Sequence, residues 1–173
     1  ASGVLSTTLK SLERIAEEGA GAVTTKSLTI EERKGHQGPN IVEVECGLLN
    51  AMGYPNPGID EGIREFSDWK REEPLIISIA GKNEEEFERL AEKIEESGFR
   101  PTAIEAAISC PHTPGYGLMA NQSGPDFVSK VTKAIKEKTD IPLIIKLSPS
   151  APAEVAAAKA AEKAGADAIN MGN

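Results

Sequence analysis

Glu162-Lys163-Ala164-Gly165-Ala166-Asp167 runs straight into the short apolar stretch Ala168 to Met171. The same succession occurs at Glu17-Glu18-Gly19-Ala20-Gly21 ahead of Ala22 to Thr25 and, more loosely, at Glu95-Glu96-Ser97-Gly98-Phe99-Arg100 ahead of the run that starts at Thr102. In each copy a glycine stands where a helix needs a left-handed residue to stop, so each reads as a helix-to-strand turn. Between these copies, Leu75-Ile76-Ile77-Ser78-Ile79-Ala80 and Pro142-Leu143-Ile144-Ile145-Lys146-Leu147 are continuous apolar runs without alternation, as in strands covered on both faces. Helices fill the intervals. Asn83-Glu84-Glu85-Glu86 has the spacing of an N-cap with a reaching glutamate, and Phe87, Leu90, Ala91 and Ile94 follow on one face. Pro125 to Lys138 gathers Phe127, Val128, Val131 and Ile135, and Ser150 to Ala164 is an alanine-rich helix with Pro152 in its first turn. With Ala1 to Leu5 as the remnant of a first strand, six strands alternate with helices or long loops in one domain over residues 1–173. Such a sequential α/β series either closes into a barrel or opens into a doubly wound sheet. Polar groups at the carboxyl end of nearly every strand favour the TIM (β/α)8 barrel, which collects them in one ring; about six of its eight strands are expected here.

Composition narrows compartment and partners. The two cysteines, Cys46 and Cys110, lie far apart, and the chain has no apolar signal segment and no run long enough to span a bilayer, which reads as a reduced, cytoplasmic protein without a disulfide framework. The net charge of -8 comes from acidic helices such as Asn83 to Glu96, and the lysines are spread along the chain, so no nucleic-acid footprint forms. These charge runs read as solvated helix faces.

The ring of strand ends can be named by residue. It receives Ala1-Ser2-Gly3, Lys26-Ser27, Ser109-Cys110, Lys146 and Asn173, and the long loop after the second strand adds Asn50-Ala51-Met52-Gly53. Cys110 stands where an apolar run ends and the stretch Thr113-Pro114-Gly115-Tyr116-Gly117 begins, at the mouth of a loop. A thiol so placed can be a nucleophile, a metal ligand, a proton acceptor or plain packing, and its neighbours from other strands decide which. Lys26 and Lys146 each follow apolar residues, which sets two ammonium groups at the same end of the barrel beside an anionic or electron-rich ligand. A snorkelling surface lysine explains either one alone, but two in equivalent positions favour a site.

These residues resemble a known family. Ala1-Ser2-Gly3, Thr25-Lys26-Ser27-Leu28-Thr29, Asn50-Ala51-Met52-Gly53-Tyr54-Pro55-Asn56-Pro57-Gly58, Ser78-Ile79-Ala80-Gly81, Ser109-Cys110-Pro111, Ile145-Lys146-Leu147-Ser148-Pro149 and Gly165-Ala166-Asp167 resemble, in order, the dihydroorotate dehydrogenase family. The resemblance implies an FMN-dependent TIM barrel of the cytosolic class 1 type, in which a cysteine is the base where the membrane-associated type has a serine. It makes Cys110 the base that removes the C5 proton of dihydroorotate while hydride passes from C6 to the flavin. It places Lys26 near both flavin and substrate, gives Asn50 and Asn173 to the substrate ring, and sets the backbone of Met52, Gly53 and Tyr54 on its carboxylate. Ala1, Ser2, Gly3 and Ser27 fall to the flavin, as does Lys146, whose charge stabilises the reduced anionic ring.

Two positions depart from the family pattern. Ala107 and His112 stand where asparagines normally touch the substrate, and an amide lost from a buried ring edge costs about 1 to 3 kcal/mol per unsatisfied group. Cys110-Pro111-His112 also resembles the related flavin barrel of dihydropyrimidine dehydrogenases, which act on uracil and thymine rings, so His112 joins the candidate substrate residues and this is the alternative activity. A further alternative is a barrel fragment without catalysis. A closed barrel of this type has eight strands and typically ~250 residues, and this chain reads as starting inside strand one and ending after strand six, short of the phosphate-binding strands. The expected partners are a small pyrimidine substrate, a second copy of the chain and an iron-sulfur flavoprotein electron-transfer subunit, with neither nucleic acid nor membrane involved.

Overall fold

The computed structural model describes residues 1–110, 113–117, 124–149 and 153–172. Its parallel strands are β1 (Val23–Thr24), β4 (Leu75–Ile79), β5 (Ala103–Ala107), β6 (Leu143–Leu147) and β7 (Ala168–Met171); its helices are α1 (Leu9–Glu17), α2 (Ile59–Phe66), α3 (Glu84–Glu96), α4 (Pro125–Lys136) and α5 (Glu154–Ala164). They form one sheet in the order β1-β4-β5-β6-β7. Every pairing in it is parallel, from Val23 against Leu75 at one end to Leu147 against Met171 at the other. A doubly wound sheet reverses its strand order at a switch point; this sheet never does, which is the order a barrel requires.

The glycine stops act as their sequence positions demand. Gly165 adopts φ 104° as the left-handed C-cap of α5, and Ala166 N–H then reaches back to the Ala161 carbonyl at 3.0 Å. At the start of α3 the Asn83 side chain accepts from Glu86 N–H at 2.9 Å, while the Glu86 carboxylate accepts from Lys82 N–H at 2.9 Å, one residue outside the expected capping box. Phe87, Leu90, Ala91 and Ile94 are all buried, as their spacing predicts. Prolines 111 and 152 lie outside the described residues, and α5 is described from Glu154.

Strand side chains divide between two environments. Ile77, Ile79, Ile104, Ala106, Leu143 and Ile145 join Phe66, Phe87, Leu90, Val131 and Ile135 in the core between sheet and helices. The alternate residues include Ser78, Glu105 and Lys146, which are polar and nonetheless buried. The unbroken apolar runs thus conceal an alternation between an oily outer face and a polar inner one.

Two segments differ from the sequence reading. Residues 1–5 form a turn and no strand: Ser6 Oγ accepts from Gly3 N–H at 2.8 Å and donates to the Gly3 carbonyl at 3.1 Å. A run this short, with a serine and a glycine in it, closes on itself more readily than it pairs. The loop after β1 contains an antiparallel hairpin of β2 (Ile41–Val44) and β3 (Gly47–Asn50), with Ile41 opposite Asn50. Its side chains are largely exposed, so no burial pattern marks it in the sequence. Among the described residues no helix is long and apolar enough to cross a membrane.

Candidate active site

The carboxyl ends of the strands enclose a cleft of about 270 Å³ lined by Ser2, Gly3, Lys26, Ser27, Asn50, Met52, Gly53, Tyr54, Ala107, Cys110 and Lys146 among others. Most of the residues singled out in the sequence therefore meet there. Ala1 is exposed and outside the lining, and His112 and Asn173 lie outside the described residues. Cys46, at the exposed hairpin turn, is a free thiol outside the lining of this cleft.

Each wall is held by backbone geometry. Lys26 and Ser27 follow β1 on extended chain, where Lys26 N–H donates to the Ser6 carbonyl at 2.6 Å and Leu28 N–H to the Ser78 carbonyl at 2.9 Å. The turn at residues 1–6 thus braces Lys26 from the side away from β4. Lys146 sits in β6, with Ala107 as its register partner on β5. Cys110 lies three residues beyond β5, its thiol donating to Thr113 Oγ1 at 3.1 Å.

The loop carrying Asn50 to Tyr54 is clamped at both ends. The His36 ring bonds the Ala51 carbonyl at 2.9 Å, and His36 N–H donates to the Met52 carbonyl at 2.9 Å. Buried Asn56 accepts from Thr29 N–H at 3.1 Å and Gly58 N–H at 2.9 Å, and donates to the Tyr54 carbonyl at 2.8 Å. Gly53 at φ 75° and Tyr54 at φ 57° are consecutive left-handed residues. For a tyrosine that conformation is strained, and the Asn56 clamp helps hold it. Tyr54 also packs at a tilt of 55° against Tyr116, with ring centroids 5.4 Å apart, and receives Lys26 Nζ 5.7 Å from its own centroid.

The electrostatics follow from burial. Lys26 and Lys146 are each only 9% exposed. Burial first, then the Lys146 ammonium, pushes Lys26 below the ordinary lysine value, and Cys110 acts in the opposite sense. Burial, followed by the charge of a Cys110 thiolate, holds the Tyr54 phenol well above its usual range. A cleft so charged favours anions and electron-rich rings.

Beneath the cleft runs a polar network that the sequence reading missed. Ser27 Oγ meets Ser78 Oγ at 2.9 Å, Ser78 Oγ donates to Glu105 Oε1 at 3.1 Å, and Asn170 Nδ2 donates to Glu105 Oε2 at 2.8 Å. Lys146 Nζ lies 3.7 Å from Glu105 Oε1. The signal was present: a lone glutamate inside an otherwise apolar strand must find partners, since an unpaired buried charge is not tolerated. In β7 the amide that the structure places against this network is Asn170.

A parallel sheet in strict chain order, with a thiol and two buried lysines gathered at its carboxyl end, defines a barrel-type α/β fold with an enzyme-like cleft. The fold is shared with the crystal structure of DHODH in complex with ferulenol from Eimeria tenella, at a TM-score of 0.81 and 16% identity over 98% of this chain and 54% of that one. The model of the dihydroorotate dehydrogenase family matches residues 1–173. The chain is 49% identical over its whole length to the dihydroorotate dehydrogenase B (NAD(+)) catalytic subunit of Pyrococcus furiosus, and 44% identical over 98% of its length to that of Methanocaldococcus jannaschii. It spans 56% of each of those relatives. The chain belongs to the dihydroorotate dehydrogenase family.

Proposed function

We propose that the protein to which this chain belongs oxidises dihydroorotate to orotate with FMN, in pyrimidine biosynthesis, by the cysteine-base route. The observation that carries this reading is the Cys110 thiol at the end of the middle strand, in one cleft with two buried ammonium groups. Residues 1–173 form, on this reading, one FMN-binding barrel domain that is incomplete. The donor set fits FMN: Ser2, Gly3, Ser27 and Lys146 line the cleft, and the cations suit a ring that becomes anionic on reduction. Bound FMN supplies the acceptor for the hydride that leaves C6.

The protein's own residues do the rest. Cys110, as thiolate, takes the proton from C5 and becomes neutral SH, the C5–C6 double bond forms as hydride leaves C6, and the thiolate is restored when the proton passes on to solvent. Thr113 beside the sulfur fixes its orientation. Asn50 pairs with the donors and acceptors of the ring edge, and the backbone at Met52 to Tyr54, left-handed at Gly53 and Tyr54, offers N–H groups to the carboxylate. Lys26, desolvated beneath Tyr54, compensates the substrate's charge. His112 and Asn173 complete the proposed substrate set. The relatives are named as catalytic subunits of NAD(+) enzymes, which supports a further subunit passing electrons to NAD(+); an iron-sulfur flavoprotein in that role, a second copy of the chain and a cytoplasmic location complete the proposed reading.

The test uses the full-length protein. Cys110→Ser slows anaerobic flavin reduction by dihydroorotate at neutral pH, recovers part of the rate as pH rises, and retains FMN, because a hydroxyl is the weaker base. Equal rates for the two proteins across pH would remove the base assignment. Dihydrouracil offered in parallel reads substrate choice. Ala107 puts a methyl group at the cleft wall in place of an amide; if it has retuned the site, dihydrouracil is preferred and Ala107→Asn returns the preference to dihydroorotate.

A further inference from the structure

Glu105 is the middle residue of β5, and β5 is the middle strand of the five-stranded sheet. Its side chain is outside the cleft lining and only 3% exposed, one layer below Ala107, which does line the cleft. Three strands converge on its carboxylate: Ser78 from β4, Lys146 from β6 and Asn170 from β7. Two neutral donors hold the carboxylate in place, and among the described residues the one ion pair it makes is with Lys146, which lines the cleft. Among the described residues Lys26 makes no ion pair; its contact is the Tyr54 ring. For the sheet alone, an apolar residue of similar volume serves as well as a buried ion pair, so the carboxylate's specific contribution is orientation and charge.

We propose that Glu105 is the positioning residue for Lys146: it fixes the Lys146 ammonium at the cleft floor and cancels its charge, leaving Lys26 as the cation without a carboxylate partner among the described residues. The two lysines then differ in kind. Lys146 is a pinned hydrogen-bond donor for an electron-rich ring, and Lys26 is the partner for a ligand's net negative charge. This assignment of ligands rests on the function proposed above; the pinning itself does not.

The experiment reads both levels in the full-length protein. In ligand-free protein, the acylation rates of Lys146 and Lys26 by acetic anhydride are measured peptide by peptide by mass spectrometry. Glu105→Gln keeps the shape and removes the charge, and it raises the Lys146 rate severalfold while the Lys26 rate stays constant. Glu105→Leu, which removes the buried charge without a polar orphan, gives the same selective rise and serves where the glutamine variant folds poorly. An unchanged Lys146 rate in either folded variant, or an equal rise at both lysines, overturns the proposal. With FMN bound, Glu105→Gln moves the flavin midpoint potential upward, since the Lys146 charge is no longer cancelled, and the shift vanishes in a Lys146→Met background. A shift that persists there means that Glu105 acts directly and overturns the positioning role. A protein that takes up no FMN defeats the proposed function alone, because the acylation measurement still decides the pairing.

Discussion

At the scale of single residues, the site depends on backbone that leaves no room for a side chain. Gly117, at φ +52°, lies so close to Cys110 that a Cβ there would overlap the Cys110 backbone nitrogen and carbonyl oxygen. The obstruction is backbone and cannot rotate away, so Gly117→Ala must displace the segment that carries the thiol. A misplacement of about 1 Å costs up to roughly a hundredfold in rate, and a fall of that order in anaerobic flavin reduction is expected, with FMN content unchanged. A variant that reduces flavin at the parental rate would show that Gly117 does not fix Cys110. The polar residues below the cleft carry a related lesson. Cys110, Lys26 and Lys146 were legible because each stands at a strand end, where side chains face a common mouth. Glu105 and Asn170 were not, because both sit inside strands whose neighbours are apolar, and only the pairing of strands across the sheet shows what they touch.

At the scale of elements, the joint between β6 and β7 is a clasp. Asp167 N–H donates to the Leu143 carbonyl at 2.9 Å, and Leu143 N–H returns a bond to Asp167 Oδ2 at 2.8 Å. The Leu143 N–H first, then Lys136 at 3.1 Å, holds the Asp167 carboxyl below its ordinary value. A folded value below the unfolded one adds stability that is full above the unfolded pKa of about 3.9 and fades as pH falls through the folded value. Urea titrations of wild type and Asp167→Asn should therefore diverge at neutral pH and converge in acid; a gap independent of pH would remove the charge from the account. The glycine-stopped turns, the runs in β4 and β6 and the apolar face of α3 were all readable, since each follows from local spacing. The hairpin at residues 41–50 was not read, although Ile41-Val42-Glu43-Val44 before Cys46-Gly47 carries strand and turn residues. Both of its faces are exposed, so the burial that separates a strand from a loop in sequence is missing. Residues 1–5 failed in the opposite way: an apolar pair suggested pairing, but Ser6 closed the segment into a turn.

At the scale of the whole molecule, the connections differ in reach. β4, β5 and β6 each pair with the next parallel strand across a single helix, whereas β1 finds its partner β4 only beyond the hairpin and α2. Closing the longer loop costs more chain entropy, and β1 contributes only a two-residue ladder in return. In native-state hydrogen exchange, the amides of Thr25 and Leu28, bonded to the Ile76 and Ser78 carbonyls, should exchange faster than that of Ile104, bonded to the Pro142 carbonyl. Equal protection would mean that the sheet opens only as a whole. The short strand β1 therefore makes the cleft itself a gauge of local opening. On that expectation Lys26 and Ser27 ride on the segment that detaches first, while Lys146 belongs to β6, which holds longer. Any molecule that touches both ties the late-docking segment to the early one, and its occupancy registers as slowed exchange at residues 25–28.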